Sequence, residues 1–268
     1  MPHDIELVRL RSWRSSAMGY WVYVFLVRGQ LVDTGFPGAR ATVARLIEER
    51  RPRGVIVTHQ HEDHAGNVEL AAERGLPVAM ARETEAALRE GEANVGLYRR
   101  ACWGSMTPLR GTIEPHEPRG LELIHTPGHS PDHHVVWDAE RETLFAGDLF
   151  LGVKVRVARP MEDPRALARS VRRAAALHPR VVLDAHRGVV PDGTEALLAK
   201  AAWLEETIGA IDALIERGWS DRAITRAVLG REDIVYTVSR GDLSRLNYVR
   251  AVRATATSRA VSGGRTAP

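Results

Sequence analysis

The sequence predicts an α/β protein with an appended helical region. Strand signals fall in two groups, amphipathic helix patterns lie between and after them, and beyond Gly193 the pattern turns helical. A hydrophobic content of 44% and a charged content of 26% over 268 residues allow a sizeable core and one large domain with an appendage.

Along the chain, WVYVFLV at residues 21–27 is β-branched and aromatic, turns at Arg28-Gly29-Gln30 and resumes as LVDTG, a hairpin feeding a tight turn. ARATVARLIEERR has a helical pattern, GVIVT reads as a short buried strand, AGNVELAAERG as a helix closed by Gly75, and PVAM as another strand. A helix is expected from Arg82 to about Gly91. Over residues 92–120 the period dissolves among Trp103, Pro108, Pro115 and Pro118, which predicts a functional loop with Tyr98, Trp103 and Met106 at a pocket mouth. LELIHT, HVVWD and TLFAGD restore strands, DPRALARSVRRAAALHP is a helix, and VVLDA is a buried strand. Helices follow over residues 193–217, 221–229 and 239–253, and SRAVSGGRTAP reads as a disordered tail. The expected division is a catalytic domain at 1–192, a helical region at 193–253 and a tail at 254–268.

Composition narrows the function classes. The single cysteine, Cys102, excludes an internal disulfide and reads as a small buried residue rather than a nucleophile. MPHDIELVRLRSW has no leader pattern and no apolar run is long enough to cross a bilayer, so no membrane partner is expected and the cytoplasm is the default location. The net charge of +3 hides an asymmetry: residues 219–268 hold nine Arg against four acids, +5, leaving −2 elsewhere. Without aromatics interleaved as a stacking surface, the basic region reads first as a solvated helical face, and nucleic acid is the less favoured partner.

Four segments place a metal-competent residue where a strand gives way to a loop. GVIVTHQHEDH supplies His59, His61, Asp63 and His64, LELIHTPGHS supplies His129, TLFAGD supplies Asp148, and VVLDAH supplies His186. His59 and His61 are two apart and point the same way in extended backbone, so they can share one ion. The set divides into His59, His61 and His129 on one metal and Asp63, His64 and His186 on a second, with Asp148 bridging. Two Zn2+ per chain suit these donors, and iron or manganese fits them as well. A lone histidine is more often structural than a ligand, but beside HxHxDH the odds reverse for His129 and His186. Gly128 and Gly147 precede His129 and Asp148 and permit close backbone approach. His3, His116, His125 and His178 lack a partner pattern, whereas His133 and His134 follow His129 closely enough to support a ligand or line the pocket.

The set THQHEDHAG, TPGHS, AGD and AHRG, with LVDTG upstream, resembles the metallo-β-lactamase superfamily across roughly residues 20–190. That resemblance implies a four-layer αββα sandwich with a dinuclear site at one edge of its sheets, and it implies that Asp33 is a buried residue pinning the metal loop. The run TPGHSPDHHVVWDAERETLFAGD and the later helices look like the glyoxalase II side of the family, whereas true β-lactamases lack such an extension.

The expected chemistry is hydrolysis of an ester, thioester or lactone by a metal-bound hydroxide, with Asp63 orienting it and Asp148 holding the ions in register. Lys154 and Arg156 are candidates for binding an anionic group of a small-molecule substrate. Two alternatives remain open: an RNA or phosphodiester hydrolase, and a mononuclear iron sulfur dioxygenase on His59, His129 and Asp148. The helical region is expected either to cap the pocket or to form a homodimer.

Overall fold

The computed structural model describes residues 4–91 and 96–263. Its chain order is β1 (Ile5–Leu10), α1 (Trp13–Ala17), β2 (Val22–Val27), β3 (Gln30–Val32), α2 (Arg40–Arg50), β4 (Val55–Ile56), α3 (Val68–Glu73), β5 (Val78–Ala79), α4 (Arg82–Glu90) and α5 (Leu97–Trp103). There follow β6 (Glu122–His125), β7 (His134–Asp138), β8 (Thr143–Gly147), α6 (Pro164–Ala175), β9 (Val181–Asp184), β10 (Gly188–Pro191) and α7 (Gly193–Glu216). The chain ends in α8 (Asp221–Ile224), a π-helical turn at Thr225–Leu229, α9 (Ile234–Val238) and α10 (Arg245–Gly263).

Two five-stranded sheets result, ordered β1-β2-β3-β4-β5 and β10-β9-β8-β7-β6. In the first, β3, β4 and β5 are parallel, and in the second β8 and β9 are. Parallel neighbours require crossovers, which α2, α3 and α6 supply. The layering follows from side chains alternating across each strand. Val24, Leu31 and Val55 face outward onto Val43 and Leu46 of α2 and Val68 of α3, while Phe25, Val32 and Ile56 face the second sheet. From that sheet Val136, Phe145 and Leu183 meet them, with the Phe25 and Phe145 rings edge to face at 5.4 Å. The intervening residues Leu144 and Val182 face Val171 of α6 and Leu197 and Leu204 of α7. The product is the expected four-layer αββα sandwich.

The helical region is not a separate body. Tyr248, Val249 and Val252 of α10 join the same apolar core as α6 and α7. Three expectations need correction. Residues 97–103, expected as loop, form α5, while residues 92–95 lie outside the described residues. The tail expected from residue 254 is helical backbone as far as Gly263, and 264–268 lie outside the description. β1 and β10 were not anticipated: IELVRL carries charges at Glu6 and Arg9, yet all six of its residues pair with β2. Among the described residues no helix is long and apolar enough to cross a membrane.

Candidate metal centre

Four loops meet at one edge of the sandwich, each leaving the end of a strand. Two glycines make the approach close enough. Gly147, at φ +49°, precedes Asp148, and a Cβ there would stand 2.8 Å from His133 Nε2. Gly128, at φ +140°, precedes His129, and a Cβ there would collide with the backbone of Leu167 at 2.3 Å. An irregularity in the β8–β9 register between Phe145 and Gly147 falls just before Asp148.

The seven expected residues converge as two groups sharing Asp148: His59, His61, His129 and Asp148, then Asp63, His64, Asp148 and His186. In the first, His61 Nδ1 stands 3.0 Å from His59 Nε2 and 2.9 Å from His129 Nε2, and Asp148 Oδ2 lies 3.1 Å from His129 Nε2. In the second, His186 Nε2 is 3.3 Å from both Asp63 Oδ2 and Asp148 Oδ1, and His64 Nε2 is 3.2 Å from Asp148 Oδ1. Donors at about 2.0–2.1 Å from a tetrahedral ion stand about 3.3 Å apart, so these spacings fit a divalent metal. His64 Nε2 and Asp148 Oδ1 are buried without a hydrogen-bond partner, the deficit a cation would remove.

The surrounding hydrogen bonds fix which nitrogen faces inward. Asp33 accepts from the Thr58 backbone N–H at 2.8 Å and from the Thr58 hydroxyl, and its Oδ2 takes the His64 Nδ1 proton at 2.8 Å. Trp21 O accepts from His186 Nδ1 at 2.9 Å. Each bond commits Nδ1 as a donor and turns Nε2 toward the centre, the nitrogen a metal would take on losing its proton. Asp33 is 1% exposed and pins the loop as the resemblance implied. Asp132 and Asp184 act similarly and were not identified from the sequence. Asp132 accepts from Gln60 N, Thr84 Oγ1 and Ser130 Oγ, tying the His59 and His129 loops, and Asp184 accepts from His186 N and Leu151 N.

Electrostatically the centre splits. Burial holds His59 and His61 well below the usual imidazole range, leaving neutral rings with lone pairs to give. Burial also opposes charge on His64 and His186, but Asp148 and its neighbouring carboxylates outweigh it and hold both well above that range. Asp63 and Asp148 are correspondingly held low against the cost of burial. Protons on two histidines thus occupy the charge role a divalent ion would take over.

A cavity of about 300 Å³ opens on Asp63, His129, Asp148 and His186 and is walled by Trp21, Tyr98, Trp103, Val155, Val157 and Leu243. Leu243 comes from the C-terminal region, so that region contributes to the cavity wall. Tyr98 and Trp103 do shape it, while Met106 lines a neighbouring cavity. Cys102 also borders it, its thiol pushed up to about 12 by burial.

Other expected substrate residues do not reach the cavity. Lys154 and Arg156 are exposed, because the extended segment alternates and its other face presents Val155, Val157 and Arg159 inward. His133 is fully buried, donates from Nδ1 to Thr126 Oγ1 at 2.9 Å and accepts the Asp148 backbone N–H on Nε2 at 3.1 Å, so it supports a ligand residue rather than lining the pocket. His134 stacks on His125 and hydrogen-bonds Asp132 O, outside the cavity. The Glu of HQHEDH, Glu62, is buried against Arg99 of α5 and docks that helix beside the site.

Residues 24–186, more than half of the chain, match the family described as the Metallo-beta-lactamase superfamily. The chain is 27% identical over 143 residues to Beta-lactamase-like protein 2 homolog of Caenorhabditis elegans, covering 50% of this chain and 44% of that protein. It is 31% identical over 135 residues to Probable metallo-hydrolase YybB of Bacillus subtilis, covering 46% and 58%. The chain spans about half the length of the curated relatives it matches. Among solved structures, the metallo-beta-lactamase family protein TTHA1429 from Thermus thermophilus superposes with a TM-score of 0.67 at 20% identity, over 99% of this chain and 96% of the other. TTHA1623 in a di-iron-bound form gives 0.53 at 27% identity, over 66% and 92%.

Proposed function

Since this chain belongs to the metallo-β-lactamase superfamily and carries a metal-binding cluster of the kind a metal-dependent hydrolase uses, we propose that it hydrolyses an ester, thioester or lactone of a small molecule with two zinc ions bound. The observation that carries this is the largely apolar cavity opening directly on Asp63, His129, Asp148 and His186. An acyl chain fits such walls, whereas a polyanionic strand would want basic ones. His59, His61 and His129 would hold one ion and Asp63, His64 and His186 the other, with Asp148 between them. Bound there, the ions supply Lewis acidity and lower the pKa of water toward neutrality.

The chain's own residues do the rest. Asp63, on the cavity wall, would accept a hydrogen bond from the attacking water and aim it at the carbonyl carbon. Trp21, Trp103, Val155 and Val157 bind the acyl body and exclude bulk water. The water oxygen bonds to the acyl carbon, the bond to the leaving oxygen or sulfur breaks, and the leaving group departs with a proton. Leu243 of the C-terminal region on the cavity wall supports the glyoxalase II side of the family, and the lone cysteine favours a reducing cytoplasm.

The test is a hydrolysis screen of purified, metal-assayed protein over p-nitrophenyl esters, a thioester, a lactone and bis-p-nitrophenyl phosphate. Turnover of the carbonyl substrates with two zinc ions per chain is expected, and His61→Ala should abolish it. Hydrolysis of the phosphodiester alone, or oxygen consumption with one iron per chain, would sink the proposal.

A further inference from the structure

The wall of the metal cavity carries a buried cation whose Nε lacks a hydrogen-bond acceptor. Arg159 is the only Lys or Arg among the cavity's described lining residues. Its side chain is 14% exposed, and its Nε is buried with no hydrogen-bond partner. The nearest carboxylate, Asp242, stands 3.7 Å from Nε and already accepts the Tyr98 hydroxyl at 2.6 Å. Nη1 lies 3.4 and 3.3 Å from the two ring nitrogens of His61. Arg99, the other buried arginine nearby, is engaged by Glu62.

The position of Arg159 is built rather than incidental. Ala158 before it exchanges backbone hydrogen bonds with Ser244 at 3.0 and 3.1 Å, and Arg159 O accepts from Glu162 N at 3.1 Å. The C-terminal region therefore fixes this guanidinium beside the metal ligands. A guanidinium offers Nε and Nη as a planar fork that matches a carboxylate, and a buried N–H without an acceptor is satisfied when one arrives.

We propose that Arg159 is a specificity-determining residue that binds a terminal carboxylate of the acyl substrate, selecting short acyl compounds that end in an acid group. This rests on the hydrolase reading above. Contact between Nη1 and His61 places that carboxylate within a few bonds of the scissile carbonyl, and the chain between them lies along Val155, Val157 and Trp103.

The experiment compares p-nitrophenyl hydrogen glutarate with p-nitrophenyl pentanoate, which differ only in a terminal carboxylate against a methyl group. The wild type should prefer the acidic ester in kcat/KM by roughly 10- to 100-fold. Arg159→Gln should raise KM for that ester and reduce the preference roughly tenfold or more, and Arg159→Lys should keep part of it. Calorimetric titration of the metal-loaded protein gives a readout without turnover: glutarate should bind more tightly than pentanoate, and Arg159→Gln should erase the difference at unchanged metal content. A wild type without preference, or a preference that survives Arg159→Gln, overturns the assignment. Should neither ester be hydrolysed, the hydrolase reading rests on the thioester and lactone arms of the screen above, and the titration alone decides the subsite: an Arg159-dependent excess for glutarate upholds it, and equal binding overturns it.

Discussion

Lys200 on α7 is 1% exposed, and its Nζ donates to Phe150 O at 2.5 Å and Gly152 O at 3.1 Å. It thereby holds the loop that follows Asp148. Burial pushes its ammonium down from 10.5 to about 8. A tenfold change in proton affinity is about 1.4 kcal/mol, so the charged form is disfavoured on folding by about 3 kcal/mol. The folded chain sheds this proton first. Between about pH 8 and about pH 10.5 the unfolded chain binds more protons, so stability rises with pH through that window and is lost as pH falls back through it. Lys200→Met removes the titrating group but leaves two carbonyls without their donor, at about 1–3 kcal/mol each. The two effects offset near neutrality. The decisive quantity is the difference between the proteins: the wild type should gain about 3 kcal/mol on the variant between about pH 7 and about pH 10.5. Urea unfolding of chelator-stripped protein at a series of pH values measures it, because all other titrations are shared and cancel. Parallel stability curves would refute the reasoning.

Asp33→Gly removes the acceptor for Thr58 N–H and His64 Nδ1–H, glycine being chosen because φ there is +61°. Metal affinity in a chelator competition should fall about 10- to 100-fold, and an unchanged affinity would contradict the role given to Asp33. Chelation of the metal-loaded protein should lower Tm by about 10 °C, since an ion held at a thousand times its Kd adds about 4 kcal/mol to the folded state; an unmoved melting curve would mean that the two clusters hold no metal. Asp138 is buried, and although burial opposes its charge, the Arg28 guanidinium and the Arg141 backbone hold its carboxyl below the usual range. That contribution is present above about pH 4 and disappears as pH falls through the lowered value. Asp138→Asn should therefore cost about 2 kcal/mol near neutrality, with the gap to wild type closing on acidification in urea titrations, and a gap that widens would reverse the assignment.

The sequence by itself determined the candidate ligand set and the two groups of strands with helices between and after them, while the αββα layering came from the family resemblance. Ligands are carried in short local motifs, and their grouping follows from spacing: His59 and His61 lie two apart on one extended strand end, and Asp63 and His64 beyond the bend. Which side of each sheet meets a helix was not legible there, because Val24-Phe25, Leu31-Val32 and Leu144-Phe145 are apolar at both positions and buried on both faces. What only the tertiary structure decided depends on contacts between distant segments. Asp132 and Asp184 carry no mark of their role until Gln60, Thr84 and Leu151 are brought to them from 33 to 72 residues away. The cavity's cation was miscast for a related reason. VKVRVAR carries an alternating pattern, but its phase relative to the metal was set by the pairing of Ala158 with Ser244. That pairing turns Lys154 and Arg156 to solvent and Arg159 inward, because successive side chains in extended backbone face opposite ways and only a neighbour says which way is in.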